Sequence, residues 1–206
     1  MAAVARPWTS PESYLARERA AAFKSEYVDG CIVAMSGASR VHNLITTNLS
    51  REVSAQLKGR PCEVYAADMR VLVSAAGQYR YPDVVIVCGR PHFADAEFDT
   101  LTNPTVLIEV LSPSTEAADR GEKFAAYRRL DSLQAYVLVA QHELRAERYT
   151  RQGDGWLLTE YTEADDVVEL AAVGCALALR EVYDKVPWPV AGDRSHDDDA
   201  VEPGQA

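Results

Sequence analysis

The sequence predicts one α/β domain in which a mixed β-sheet is flanked by helices. Three observations lead there: an amphipathic stretch over 40–57, aliphatic strand-like runs over 105–111 and 133–140, and a helical pattern between those two runs. Two buried strands joined by a helix point to a parallel crossover, whereas hairpin signals elsewhere require antiparallel neighbours. A chain of 206 residues suits one domain at roughly 100 to 200 residues each. The domain is expected to span 1–190, with 191–206 an acidic, disordered tail.

Thr9-Ser10-Pro11-Glu12 has the spacing of a capping box, with proline at an early helical position, so the first helix is expected to run to about Lys24. From Tyr27 to Met35 strand-forming residues surround the turn pair Asp29-Gly30 and predict a hairpin or strand start. In the stretch 40–57, Val41, Leu44, Ile45, Leu49, Val53 and Leu57 recur at helical spacing, and Gly59 and Pro61 stop the helix. Short strands are expected at 62–66, 70–73 and 83–88. The run 105–111 has the composition of a strand buried on both faces. Ser112-Pro113-Ser114-Thr115 supplies a turn before a helix over 116–130, a further buried strand covers 133–140, and short strands flank Gly153-Asp154-Gly155 up to Tyr161.

The composition excludes several classes. No apolar run reaches the 18 or so residues of a bilayer span, so no membrane association is expected. The N-terminus lacks the apolar core of a secretory signal, which makes a cytoplasmic location the default. Cys31, Cys62, Cys88 and Cys175 are scattered and form no CxxC pair; they are expected to be reduced, buried thiols. A net charge of -10 argues against a broad nucleic-acid surface, though not a local one.

The informative feature is a charge where the pattern forbids one. Glu109 interrupts Val106-Leu107-Ile108 and Val110-Leu111 in the most apolar strand. A lone buried carboxylate costs several kcal/mol unless it is paired, protonated or metal-bound. Two readings are open: a metal ligand, or a structural ion pair with Lys123 or an arginine. Asp83 follows Pro82 at the head of another apolar strand, and if the two strands are neighbours the carboxylates can converge on one cation, with the Val110 carbonyl as a third oxygen ligand. Mg2+, or Mn2+ in its place, suits so sparse an oxygen site. Leu111 occupies the position two beyond Glu109, where a lysine would be wanted to offset charge on a phosphorane. The nearest substitute is Lys123, which shares a helical face with Asp119 and Tyr127. Glu26 and His42 are candidates for an outer shell, with Asp119 positioning Lys123. Arg120, Arg128 and Arg129 are candidates for phosphate contacts, and Tyr127 is expected to pack with its hydroxyl at the rim.

The segments Tyr81-Pro82-Asp83-Val84-Val85-Ile86-Val87, Asn103 to Thr115, Asp119-Arg120-Gly121-Glu122-Lys123-Phe124 and Ser132 to Val139 resemble the Uma family of restriction-endonuclease-like proteins, a bacterial branch of the PD-(D/E)XK nuclease superfamily. Glu26 to Gly30 and Met35 to Asn43 extend the resemblance to residues 10 to 187 or so. It implies a restriction-endonuclease-like fold and a metal-dependent endonuclease acting on DNA. Asp83 would be the PD aspartate, Glu109 the acidic strand residue, and Lys123 a migrated motif lysine. A homodimer is expected from the need to cut two strands. The alternative is a catalytically silent nuclease-like binding or regulatory module, which Leu111 and the acidic balance motivate.

Overall fold

The computed structural model describes residues 8–73 and 76–187. The expected acidic tail, 191–206, lies outside the described residues. Three sheets and a few helices make up the rest.

The first helix, α1 (Pro11–Ala20), is capped by Ser10, whose side chain accepts from the Ser13 N–H at 3.2 Å. The expected Thr9 capping box is therefore shifted by one residue, and the helix stops short of Lys24. A physical reason lies in Glu18, which accepts from the Ser25 N–H at 2.9 Å and draws the chain back into a strand. That strand, β1 (Ser25–Val28), forms a hairpin with β2 (Cys31–Ala34). Asp29 and Gly30 both adopt positive φ, 49° and 83°, which matches the twist a two-residue hairpin loop needs.

The long helix α2 (Arg40–Leu57) has the predicted bounds, with Ser39 as its cap. Its stripe of Ile45, Leu49, Val53 and Leu57 is buried. After it come β3 (Cys62–Ala66), β4 (Arg70–Val73), β5 (Gln78–Arg80), β6 (Val84–Cys88), β7 (Thr100–Leu101) and β8 (Val106–Leu111). The crossover consists of α3 (Glu116–Ala118), a π-helical turn (Asp119–Lys123) and α4 (Phe124–Tyr127). It leads to β9 (Ala135–Ala140), and β10 (Ala146–Gln152) and β11 (Gly155–Tyr161) follow as a hairpin. The described chain closes with a small hairpin, β12 (Val167–Leu170) and β13 (Cys175–Ala178), and a short helix, α5 (Leu179–Val182).

The central sheet has the order β11-β10-β9-β8-β6-β3. Its β8–β9 pair is parallel and the others antiparallel, as the crossover argument required. A second sheet, β2-β1-β5-β4-β7, contains one parallel pair, β4–β7. Alternation splits the central core into two faces. Val84, Ile86, Val106, Ile108, Val137 and Val139 pack with α2, β12, β13 and α5. Val85, Val87, Leu107, Leu111, Tyr136 and Leu138 pack with α4 and β4. Leu107 is fully buried on the second face. Leu107→Ala is expected to lower stability by about 2–5 kcal/mol in urea denaturation through lost burial and a residual cavity.

One cysteine expectation is corrected. Cys62 and Cys88 are opposite each other in the β3–β6 register, Cα atoms 4.0 Å apart, and are joined by a disulfide. Cross-strand registry brings together two residues whose sequence spacing gives no hint of a pair. Cys31 and Cys175 are free, and Cys175 is buried.

Candidate active site

The antiparallel register of β6 and β8 pairs Val84 with Ile108. Continued by one residue, it sets Asp83 against Glu109, so two acids far apart in sequence meet at the same end of adjoining strands.

Asp83 sits at the sheet end with its side chain 18% exposed. Its Oδ2 accepts a hydrogen bond from the Val110 N–H at 2.7 Å and lies 3.3 Å from His42 Nε2. His42 belongs to the first turn of α2, where its own N–H is held by the Ser39 hydroxyl at 3.1 Å. Burial alone would lower the imidazole pKa, but the hydrogen bond and charge of Asp83, helped by the Val110 backbone, raise it above the ordinary histidine value. With its folded pKa above the unfolded one, His42 stabilises the fold fully below the unfolded pKa of about 6.5, and that contribution fades as pH rises through the folded value. Thermal midpoints of wild type and His42→Gln are therefore expected to converge as pH rises from 6 to 9. A constant gap would show that the imidazole stays in one protonation state.

Glu109, in the middle of the central sheet, is 3% exposed. Its Oε1 accepts from the Tyr127 hydroxyl at 3.0 Å and from Lys123 Nζ at 3.3 Å. Burial holds its carboxyl well above the usual carboxylate range; Lys123 opposes the shift, while Asp119, Asp83 and Glu26 add to it. Lys123 projects from the π turn. Its ammonium lies 2.7 Å from Asp119 Oδ1 and 3.9 Å from Glu26 Oε1. Burial would lower its pKa, but Glu109, Glu26 and Asp119 together raise it, so it remains charged.

Asp119 is buried, and its carbonyl accepts from the Tyr136 hydroxyl at 3.0 Å. Asp119, Lys123 and Tyr127 do turn to one side, but through a π turn and not an uninterrupted α-helix. Such a turn within a helix frequently marks a functional position. Glu26 is buried on β1, pairs with Arg80 at 2.8 Å and accepts from the Tyr81 N–H at 3.2 Å. Arg80 is itself 2% exposed and also reaches Glu122 at 3.3 Å.

The structure thus brings Asp83, Glu109, Lys123, Asp119, Glu26 and His42 into one neighbourhood. Arg120 is engaged by Glu116, at 2.9 Å, and by Glu147, so it is not a free phosphate ligand. Arg128 and Arg129 are exposed beyond the end of α4. Tyr127 is fully buried instead of lying at the rim. Sequence reading missed Arg80 and Tyr127 as partners of the acids. Arg80, a charge between two tyrosines in a strand, carried the same kind of signal as Glu109.

Four carboxylates here face two permanent cations, Lys123 and Arg80. No group of three or more His, Cys, Asp and Glu with metal-holding geometry occurs among the described residues. Two acidic side chains fit a hard ion that keeps most of its water. The surplus of negative charge favours the same kind of guest.

Residues 11–180 match the Uma2 family, described as "Putative restriction endonuclease". The chain belongs to the Uma2 family. It is 39% identical over 159 residues to the Synechocystis sp. protein sll1609, covering 77% of this chain and 90% of that one. A second Synechocystis sp. protein, slr1290, is 38% identical over 178 residues, covering 86% and 92%. Both relatives are described as uncharacterized proteins. A crystal structure from Anabaena variabilis, described as "a putative nuclease belonging to DUF820", superposes with a TM-score of 0.67 at 17% identity, over 84% of this chain and 96% of that one. At that identity the likeness is one of fold, and it agrees with the restriction-endonuclease-like, mixed α/β architecture expected for a Uma2 chain.

Proposed function

We propose that this chain is a metal-dependent endonuclease that hydrolyses DNA phosphodiester bonds through a PD-(D/E)XK-type site formed by Asp83, Glu109 and Lys123. The observation that carries the reading is the opposition of Asp83 and Glu109 across the β6–β8 register, with a buried lysine beside Glu109. Asp83, Glu109 and the Val110 carbonyl would hold Mg2+ or Mn2+. The chemistry such an ion supplies is neutralisation of phosphate charge and a lowered pKa for water.

The protein groups have separate tasks in this scheme. The Val110 N–H fixes the Asp83 carboxylate, and Tyr127 fixes that of Glu109. Lys123 offers a permanent positive charge from the helix in place of the strand position occupied by Leu111, and Asp119 anchors it. Its ammonium stabilises negative charge developing on the phosphate, a role donors play best when oriented in advance. His42, next to Asp83 and partly open to solvent, steadies that carboxylate from the α2 side.

Purified protein incubated with plasmid and Mg2+ or Mn2+ should give nicked and linear products with 5′-phosphate and 3′-hydroxyl ends, and EDTA should stop the reaction. Absence of cleavage by wild type, or unchanged cleavage in both Asp83→Ala and Glu109→Ala, would refute the reading. A two-fold homodimer would let two copies cut both strands, and light scattering reads that state directly.

The engagement of Glu109 by Lys123 and Tyr127 favours one competing reading, a nuclease-like binding or regulatory module without catalysis. Calorimetry separates the two, because a silent module should show no Mn2+ binding heat that depends on Asp83.

A further inference from the structure

The π turn (Asp119–Lys123) is held by side chains from three successive strands of the central sheet. Lys123 reaches Glu109 on β8 at 3.3 Å, and the Tyr136 hydroxyl on β9 donates to the Asp119 carbonyl at 3.0 Å. The third hold is the ion pair of Arg120 with Glu147 on β10. Strand register explains why these partners fall together: Leu138 on β9 stands opposite Glu109 on one side and Glu147 on the other. Glu109 and Glu147 therefore share a row and a face of the sheet, roughly 9–10 Å apart at 4.7–4.9 Å per strand.

Glu147 is a buried carboxylate, 3% exposed, and it is paired with Arg120 and Arg145 and not with Lys123. Burial alone would raise its pKa, but the two arginines outweigh that and lower it, so the carboxylate is charged at neutral pH. One oxygen faces Arg120, and the other accepts from Arg145 Nε at 2.8 Å. The segment that Arg120 belongs to cannot fix its own shape. Glu116 to Tyr127 is at the lower limit of ~12–15 residues for a helix that stands alone, and its middle is in the rarer π state. Side chains reaching it from the sheet therefore select the π turn. Without the Arg120 hold the turn is fastened on one side only and can return to α-helical phase, which redirects Lys123.

We propose that Glu147 is a positioning residue of the nuclease site: through Arg120 it holds the π turn in place and so aims Lys123 at Glu109. The assignment rests on the nuclease reading for Lys123. Glu147 acts on the reaction only through the backbone between Arg120 and Lys123. Arg120 thereby has a task other than phosphate contact, since its charge is engaged in fastening the turn to β10.

The test is Glu147→Gln in the full chain, which keeps the shape of the side chain and removes its charge. Arg120 retains Glu116 at 2.9 Å and Arg145 retains Glu143 at 3.1 Å, so neither arginine is orphaned. Amide hydrogen exchange over 119–124 is expected to be about tenfold faster than in wild type, with β9 and β10 within about twofold. Arg120→Gln, at a more exposed position, should reproduce that pattern and decides the question if Glu147→Gln does not fold. Arg145→Gln breaks the pair that does not reach the turn, and exchange over 119–124 should then stay within about twofold of wild type. In plasmid cleavage with Mg2+, kcat of Glu147→Gln should fall about ten- to a hundredfold at unchanged KM, as when a group is displaced by about 1 Å. Adding Arg120→Gln should lower it no further, because both changes break one link. Unchanged exchange at the turn, equal acceleration along the whole chain, an effect of Arg145→Gln as large as that of Arg120→Gln, or a raised KM at unchanged kcat overturns the proposal. A wild type that never cuts plasmid removes the catalytic reading, and the exchange comparison still decides whether Glu147 holds the turn.

Discussion

Replacing Lys123 by methionine is expected to destabilise the protein by roughly 3–5 kcal/mol at pH 7, the usual cost of stripping the partner from buried charge. The Lys123 ammonium lies within 4 Å of Glu109, Asp119 and Glu26, at 3.3, 2.7 and 3.9 Å. Arg80 still serves Glu26 in the variant, but Glu109 and Asp119 lose their ion-pair partner. The deficit should shrink as pH is lowered towards 4, because protonation of the abandoned carboxylates removes the charge that burial penalises. Urea denaturation at pH 7 and pH 5 measures both effects. A loss under about 1 kcal/mol at pH 7 would mean that the acids are solvated and do not depend on this lysine. Cleavage should fall with the variant even where it remains folded, which ties the structural role and the proposed electrostatic one to the same nitrogen.

Glu109→Gln should act in the opposite sense on stability while removing activity. In the folded protein the Glu109 carboxyl titrates above its unfolded value, because burial and three neighbouring acids outweigh Lys123. Its contribution to stability is therefore present in full below the unfolded pKa of about 4.3 and is lost as pH rises through the folded value. A neutral amide of the same shape avoids that loss, keeps an oxygen for the Tyr127 hydroxyl, and leaves Lys123 with Asp119 at 2.7 Å. The thermal midpoint of the variant should exceed that of wild type at pH 8 and approach it at pH 5. Plasmid cleavage should drop by about 100- to 1,000-fold, as when a single oriented group is taken from a charged transition state. A variant that is less stable at pH 8 would show that Glu109 is ionised and satisfied by its partners. The expected gain in stability would mean instead that function is held at the expense of stability, an exchange common at catalytic centres.

The helix α2 and the strands β3 and β4 were legible to the residue because their apolar periodicity and their stops are local properties. Glu109 was legible for the converse reason, a charge inside an aliphatic strand. Its opposition to Asp83 followed once the two strands were taken as neighbours. What sequence could not supply depends on registry between distant segments. The Cys62–Cys88 bond, the Arg80–Glu26 pair and the Tyr127–Glu109 hydrogen bond all join residues from elements whose relative placement no local pattern encodes. The first helix failed at both ends for a different reason. Ser10 and Thr9 are both competent caps, and Glu18 draws the exit inward by a tertiary contact. The crossover kept its expected start, but nothing in Glu116 to Tyr127 announced that its middle would widen.

That widening has a consequence for how the segment can vary. A π turn contains one residue more than an α-helical turn of the same rise, and here the surplus falls between Asp119 and Lys123. Deleting one residue, Gly121 for example, would return the backbone to α-helical phase and improve its own hydrogen bonding. It would also leave the lysine only three residues from the aspartate, about 60° short of a full turn at about 100° per residue. The comfort of the main chain and the aim of the ammonium pull against each other at this one turn, so lengths of insertions and deletions here are constrained more tightly than the identities of the side chains between them.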